Sequence, residues 1–479
     1  MPPVRIAGPL VDEWSAAAAA AATSTAFNPA TGEALHTFRH ASAEDVAAAV
    51  DRATEAFLDW GATTPAARSA LLLKLADMLE AEGETFAQLE CLNVGKPLAM
   101  AREEISYDAD VLRFMAGAAR ISHGATAGEY TSGSTSYIRR DPIGVVGLIT
   151  PWNFPLMELV WKVAPALAAG NTVVLKPSEM TPLSSIHFVQ LAQSVLPAGV
   201  LNLVPGDGTT GQALVAHPQV RLVSLTGDIS TGSKVAAAAA VSLKRVHLEL
   251  GGNAPALVFA DVDVAAVAAQ LARTGYLNSG QDCTAPCRVI VASDIYDQFV
   301  GAYLDEVKNL VFGDPTAAET NLGPVVSASH LERVAGFVDR AVAAGATVRV
   351  GGHRVEGNGW FYPPTVLTDV AQDAEIVQRE VFGPVVTIQE GASDSEMLSM
   401  ANGVPHGLAA SIWTTDVGRS LHLTRELSFG TVWVNQHLVL ANEMPFGGFG
   451  HSGYGKELSA HAIDEYSQVK HVMLTASPC

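Results

Sequence analysis

VVGLIT (145–150), LVWKVAPALAAG (159–170) and TVVLKPSE (172–179) follow one another as an apolar strand run, a helical pattern and a second strand run. That alternation decides the fold class, because strands separated by helices lie parallel in one sheet whose faces the helices cover. Working outward, the helical AEDVAAAVDRATEAFLDW (43–60) precedes this unit, and LNLVPGDG (201–208) and RLVSLTGD (221–228) continue it. Each of the last two is a short strand running into a glycine turn and then a helix. Such carboxyl ends are where open α/β sheets bind ligands. Two segments break the rhythm: GEYTSGSTSYIRRDP (128–142) and EYSQVKHVML (465–474) are β-prone and isolated. They are expected to form an edge element that pairs with something, a second subunit being one option. No internal repeat or low-complexity linker is present.

At 479 residues, 48% hydrophobic and 16% charged, the chain can bury a large core and is expected to divide into two or three domains. Its formal net charge of −20 would repel nucleic-acid phosphates and anionic membrane surfaces, so neither is an expected partner. Four cysteines, Cys91, Cys283, Cys287 and Cys479, are too few and too scattered for a disulfide framework; a reducing cytoplasm is the expected location. The alanine run at 16–22 resembles a targeting segment, but Asp12 and Glu13 precede it where an export signal needs positive charge. No uncharged apolar stretch of about 18 residues is present to cross a membrane.

Two glycine patterns compete for a dinucleotide, GDGTTG (206–211) and GDISTG (227–232). Each follows a strand and precedes a helical run, as a phosphate-binding turn requires, and each is equally readable as a tight turn needing positive φ. Glu249 lies where a standard fingerprint would put the ribose acid after Gly227. Cys283 sits in NSGQDCTAPCR (278–288), with Cys287 four positions on. A buried core thiol is the commoner fate of a free cysteine, and a metal pair would lack its remaining ligands, so no metal is expected. By spacing alone Cys283 is a candidate nucleophile and no more.

LELGGNAP (248–255), followed 34 residues after its glutamate by GQDC (280–283), resembles the aldehyde dehydrogenase superfamily. PWNFP (151–155), KPSE (176–179), the SLTG…TG turn (224–232), EVFGPV (380–385), PFGG (445–448) and SGYGKE (452–457) also match family blocks, in the family's order, so the resemblance covers nearly the whole chain. The GEY, RRDP, GQDCTA and SGYGK segments are similar to those of bacterial γ-aminobutyraldehyde dehydrogenases.

The resemblance implies a Rossmann-like NAD-binding domain (1–123 and 143–252), an α/β catalytic domain (253–452) and a small β oligomerisation element (124–142 and 453–479), in a homodimer or homotetramer. It implies that Cys283 attacks the aldehyde, that Asn153 stabilises the oxyanion, and that Glu249 is the general base rather than the ribose acid. NAD is the implied cofactor. Thr150, Trp152, Lys176, Glu179, Gly208, Gly227, Asp228, Gly232, Glu380 and Phe382 would bind it, with Lys176 and Glu179 at the adenine-side ribose and Glu380 at the nicotinamide-side ribose. A serine usually follows Gly227 in the family; Asp228 stands there instead, an acid beside pyrophosphate. Asp282, Trp161, Glu158, Tyr107, Glu103 and Phe446 are the implied substrate contacts, and their acids point to an ω-aminoaldehyde such as 4-aminobutanal. A broad or betaine-type aldehyde dehydrogenase is the alternative, and a non-catalytic binding or structural protein a weaker one.

Overall fold

The computed structural model describes residues 9–15, 22–121 and 127–475. Most of the alanine run (16–21), residues 124–126 and Cys479 lie outside them. The strands expected around 145–176 form, and so does the helix between them, Pro155–Ala169. Nearly every residue of that helix is buried, because it is sandwiched between the sheet and outer helices, and Gly170 ends it at φ 94°. Ala43–Trp60 is likewise helical, started by a capping box in which Ser42 and Asp45 satisfy each other's backbone N–H groups.

A six-stranded sheet holds this region. Its order is Gly453–Tyr454, Arg245–Leu250, Val220–Gly227, Val145–Ile149, Thr172–Lys176 and Leu201–Leu203. All neighbours are parallel except Gly453–Tyr454, which pairs antiparallel with Gly453 opposite Glu249. Thr150, Gly227 and Gly251 therefore leave the sheet on one edge. A seven-stranded sheet follows, in the order Thr347–Val350, Thr365–Thr368, Val385–Gly391, Arg288–Ala292, Pro255–Val258, Ala409–Trp413 and Thr431–Val434, parallel apart from its first strand. This is the two-sheet α/β architecture that the resemblance implies. A cavity opens between the carboxyl edge of the first sheet and the loops that join the second.

The two isolated strand segments pair with each other. Ser467–Thr475 runs antiparallel to Ser134–Pro142 over nine residue pairs, and Gly128–Thr131 completes a three-stranded sheet. The tail strand begins at Ser467 rather than 465 because Ser459–Glu465 is a helix. The 453–479 stretch is thus divided, its first two strand residues joining the six-stranded sheet and its last nine the small one. Among the described residues no helix is long and apolar enough to cross a membrane, and no cluster of three or more His, Cys, Asp or Glu side chains could hold a metal.

Candidate active site

Cys283 follows three consecutive residues in the left-handed region, Asn278 (φ 47°), Ser279 (φ 58°) and Gly280 (φ 67°). For the first two this is uncommon, and side-chain bonds from distant segments hold it. Asn278 Nδ2 donates to Asn153 O at 3.0 Å, Ser279 Oγ to Gly323 O at 2.8 Å, and Val326 N to Gln281 Oε1 at 2.8 Å. Gly280 has no substitute, since a Cβ there would lie 2.1 Å from Gly383 O. Asn153, buried on the turn after the Val145–Ile149 strand, donates one amide proton to Gln281 O at 3.0 Å. Its second amide proton is free to meet an oxygen developing beside Cys283.

The LELGG motif explains itself in the same way. Its two glycines admit what a side chain would exclude: a Cβ on Gly251 would sit 2.1 Å from Glu380 Oε2, and one on Gly252 would sit 1.9 Å from Cys283 O. Glu249, buried between Leu248 and Leu250, keeps Oε1 without a hydrogen-bond partner. Burial first, then the carboxylates of Glu457 and Glu158, raise its pKa well above the ordinary carboxylate value. Behind it Lys162 bonds Glu457 and stands 3.7 Å from Glu158. Burial alone would lower the Lys162 pKa, but these two carboxylates outweigh it and raise it.

Cys283, Glu249, Asn153 and Glu158 face a cavity of about 180 Å3 whose far side carries Gly227, Asp228, Glu380 and Phe382. Burial above all holds the Cys283 thiol well above its usual pKa, and Asp282, Glu158 and Glu249 add to the effect. Cys287 plays no part in this cavity: its Sγ donates to Asn253 Oδ1 at 3.0 Å, and burial pushes its thiol up to about 12.

The cofactor side can be tested for fit. Thr150 Oγ1 is buried without a partner at the sheet's carboxyl edge. Gly232 brings the Ile229–Ala240 helix against the strand before Gly251; a Cβ there would lie 2.6 Å from Leu250 Cδ2. Lys176 stands 3.6 Å from Glu179, a cation and a carboxylate placed where ribose hydroxyls could bridge them. Gly208 opens the Gly208–Ala216 helix on the same edge, behind Asp207 as its N-cap. Trp152 meets Phe382 edge-on at 5.2 Å. Burial raises Glu380 to about 8 against the pull of Gly252 N–H, which donates to it at 3.0 Å. Asp228 caps the Ile229–Ala240 helix, accepting from Ser230 N at 2.8 Å, so its carboxylate occupies the helix N-terminus that would face an anion. These residues fit a dinucleotide, with Asp228 as the adverse charge.

On the substrate side, the Trp161 ring lies 5.3 Å from Phe446 and 6.4 Å from Tyr107. Glu158 is buried in the cavity, where burial lifts it to about 6 against the pull of Lys162. Asp282 folds one oxygen back on its own turn, accepting from Thr284 N at 2.7 Å and Thr284 Oγ1 at 2.8 Å. Glu103 does not belong with them. It is exposed and borders a separate surface hollow with Arg273 and Glu306, because the next residue, Glu104, takes the inward position and bonds Lys96 at 2.6 Å. Glu103 keeps its four-residue spacing to Tyr107, but the inward side of the helix is the one that carries Glu104. Two cavity residues carry no motif at all, His330 and Arg333 of the Ala328–Ala343 helix. Only their i, i+3 spacing on an amphipathic helix marks them as sharing a face.

The profile of the aldehyde dehydrogenase family matches residues 14–472, and the chain belongs to that family. It is 38% identical over 459 residues to the betaine aldehyde dehydrogenase of Bacillus subtilis (strain 168), covering 94% of each chain. It is 40% identical over 449 residues to an aldehyde dehydrogenase of Aspergillus niger, covering 93% of this chain and 90% of that one. Among solved structures it is similar to the betaine aldehyde dehydrogenase of Staphylococcus aureus in complex with NAD+, with TM-score 0.93, 36% identity and coverage of 95% and 92%. An NAD-dependent aldehyde dehydrogenase of Sinorhizobium meliloti gives TM-score 0.94 at 39% identity, covering 96% and 93%. The protein is an NAD-dependent aldehyde dehydrogenase, an enzyme that oxidises an aldehyde with NAD as its cofactor. The Bacillus and Staphylococcus relatives are named for betaine aldehyde, not for an aminobutyraldehyde.

Proposed function

We propose that this enzyme oxidises an aldehyde carrying a positive charge, with an ω-aminoaldehyde such as 4-aminobutanal as the first reading. One observation carries it: Asp282, Glu158 and Glu249 surround the nucleophile, and their charge adds to the burial that chiefly raises its thiol pKa. A substrate that brings a cation into that ring of carboxylates offsets their charge and favours the thiolate. The Trp161, Tyr107 and Phe446 rings offer faces to the same cation. Betaine aldehyde, with its quaternary ammonium, is the second reading, favoured by the names of the Bacillus and Staphylococcus relatives.

In the proposed sequence the Cys283 thiolate adds to the aldehyde carbon, forming the C–S bond while the carbonyl oxygen becomes an oxyanion. Asn153 Nδ2 and the backbone N–H of Cys283 donate to that oxygen, each donor worth roughly 3 kcal/mol. NAD supplies the hydride acceptor, and the enzyme is left acylated on Cys283. Glu249 takes a proton from water as it attacks the thioester; the C–S bond breaks, the carboxylic acid leaves and Cys283 is freed as the thiolate. Lys176, Glu179, Glu380 and the Gly227–Gly232 turn hold the cofactor, and Glu179 disfavours a 2′-phosphate, so NAD is preferred to NADP.

A homo-oligomer built through the small sheet is part of the same reading. Ser467–Thr475 and Thr431–Val434 are outer strands of their sheets, and Val469, Met473 and Leu474 are exposed on the former. The division into a cofactor domain, a catalytic domain and this element is proposed with it, on the strength of the six-, seven- and three-stranded sheets.

The test is a comparison of 4-aminobutanal, betaine aldehyde and butanal. The kcat/KM for the better cationic aldehyde should exceed that for butanal at least ~10-fold, about 1.4 kcal/mol, and Asp282→Asn should shrink the ratio. Equal efficiency for charged and uncharged aldehydes removes the cationic reading and leaves a broad-specificity enzyme.

A further inference from the structure

Three consecutive backbone carbonyls in the cofactor cleft are held by two side chains from a single helix turn. His330 Nε2 lies 2.6 Å from Phe382 O, Arg333 Nη1 donates to Val381 O at 3.1 Å, and Arg333 Nη2 donates to Glu380 O at 2.9 Å. A carbonyl oxygen only accepts, so the proton of this histidine sits on Nε2. Burial lowers the His330 pKa to about 4, which keeps the ring neutral with that single N–H committed to Phe382.

The segment so held is strained. Phe382 has φ 61°, a left-handed conformation that a bulky residue rarely adopts and that persists only where its surroundings impose it. Gly383 lets the segment approach the helix, since a Cβ there would come 2.5 Å from Val334 Cγ2. On its other side the segment touches the nucleophile loop through Gly383 O, and Trp152 packs against both His330 (5.0 Å) and Phe382 (5.2 Å). Glu380 emerges from this turn with its carboxyl over Gly252 N.

We propose that His330 and Arg333 form a clamp that keeps the 380–382 segment in its left-handed form and so aims Glu380 at the cofactor. Both are positioning residues: they act on the backbone that carries Glu380, not on the reacting atoms. Released, Phe382 relaxes toward ordinary φ, and the carboxyl swings away from the ribose it would bind. The consequence falls on the cofactor and not on the thiol chemistry, which Cys283 and Glu249 perform from other elements.

Three variants test this: His330→Leu removes the donor but keeps a packing group against Trp152, His330→Gln restores a donor, and Arg333→Met keeps a stem against the Phe337 ring while losing both bonds. The readouts are KM and Kd for NAD, kcat, and hydrolysis of 4-nitrophenyl acetate, in which the thiol displaces nitrophenol and water frees the enzyme without any cofactor. His330→Leu should raise KM and Kd for NAD about tenfold or more, and its loss in kcat/KM for NAD should exceed its loss in ester hydrolysis by about tenfold. His330→Gln should recover most of the affinity. The clamp is overturned if His330→Leu binds NAD like wild type, if Gln is as impaired as Leu, or if ester hydrolysis falls in parallel. Should thermal melting show that His330→Leu does not fold, Arg333→Met carries the same comparison.

Discussion

Glu249 is seated against the Cα of Gly447: a Cβ at position 447 would lie 2.7 Å from Glu249 Oε1 and 2.6 Å from Gly455 O. The PFGG motif is therefore part of the seat of the proposed base, supplied from almost 200 residues further along the chain. Gly447→Ala should displace the carboxylate while leaving Cys283 in place. Pre-steady-state NADH formation should persist, and steady turnover should fall about tenfold or more. Normal turnover in this variant would mean that Glu249 does its work without that seat.

Cys283→Ala removes the proposed nucleophile and little volume, so the folded protein should bind NAD but form no NADH from any aldehyde. Cys287→Ala removes only a thiol bonded to Asn253 and should leave turnover within about threefold of wild type. The pair of assays separates the two thiols; an inactive, folded Cys287→Ala protein would return that residue to the chemistry.

Glu249→Gln should give one burst of NADH and then steady turnover roughly 100-fold or more below wild type, since water attack follows hydride transfer. The base works ionised, and its pKa is raised by burial and by Glu457 and Glu158. Deacylation should therefore rise with pH along a limb above the ordinary carboxylate range, and that limb should vanish in the glutamine variant. Stopped-flow absorbance across pH separates burst from turnover. A pH limb that survives in Glu249→Gln belongs to another group.

At the cofactor side, Asp228→Asn and Asp228→Ser both keep a good N-cap for the Ile229–Ala240 helix, so they alter charge without unwinding it. At an effective dielectric near 20, like charges within a few residues' reach repel by on the order of 1 kcal/mol or more. Both variants should bind NAD about tenfold more tightly than wild type, and adenosine, which has no phosphate, should be unaffected. Unchanged NAD affinity by fluorescence titration would show that the carboxylate is too well solvated to matter.

Periodicity and strand-end glycines were enough to read the alternation of strands and helices, because each local run buries or exposes its own residues by the same rules. The 43–60 helix and the 145–176 unit stand where those rules put them. The family resemblance names Cys283, Glu249 and Asn153 together, and all three line one cavity. Sequence reading failed where the answer depends on a partner element. Glu103 and Glu104 are equally charged neighbours, and only Lys96, fixed by a separate turn, decides which one is drawn inward. His330 and Arg333 are ordinary polar residues of an amphipathic helix until the 380–382 carbonyls, some 50 residues on, are packed against them. The fate of the two isolated strands was also open, because strand pairing is long-range: 134–142 and 467–475 find each other across more than 300 residues.

The left-handed run at 278–280 has one more consequence, for how the enzyme comes into being. Its shape is imposed by Asn153 on the six-stranded side and by Gly323 and Val326 on the seven-stranded side, so neither half of the chain can impose it alone. During synthesis or refolding, a molecule in which one sheet has formed and the other has not lacks the contacts that set this turn. The pocket around Cys283 is complete only once both halves of the chain are in place.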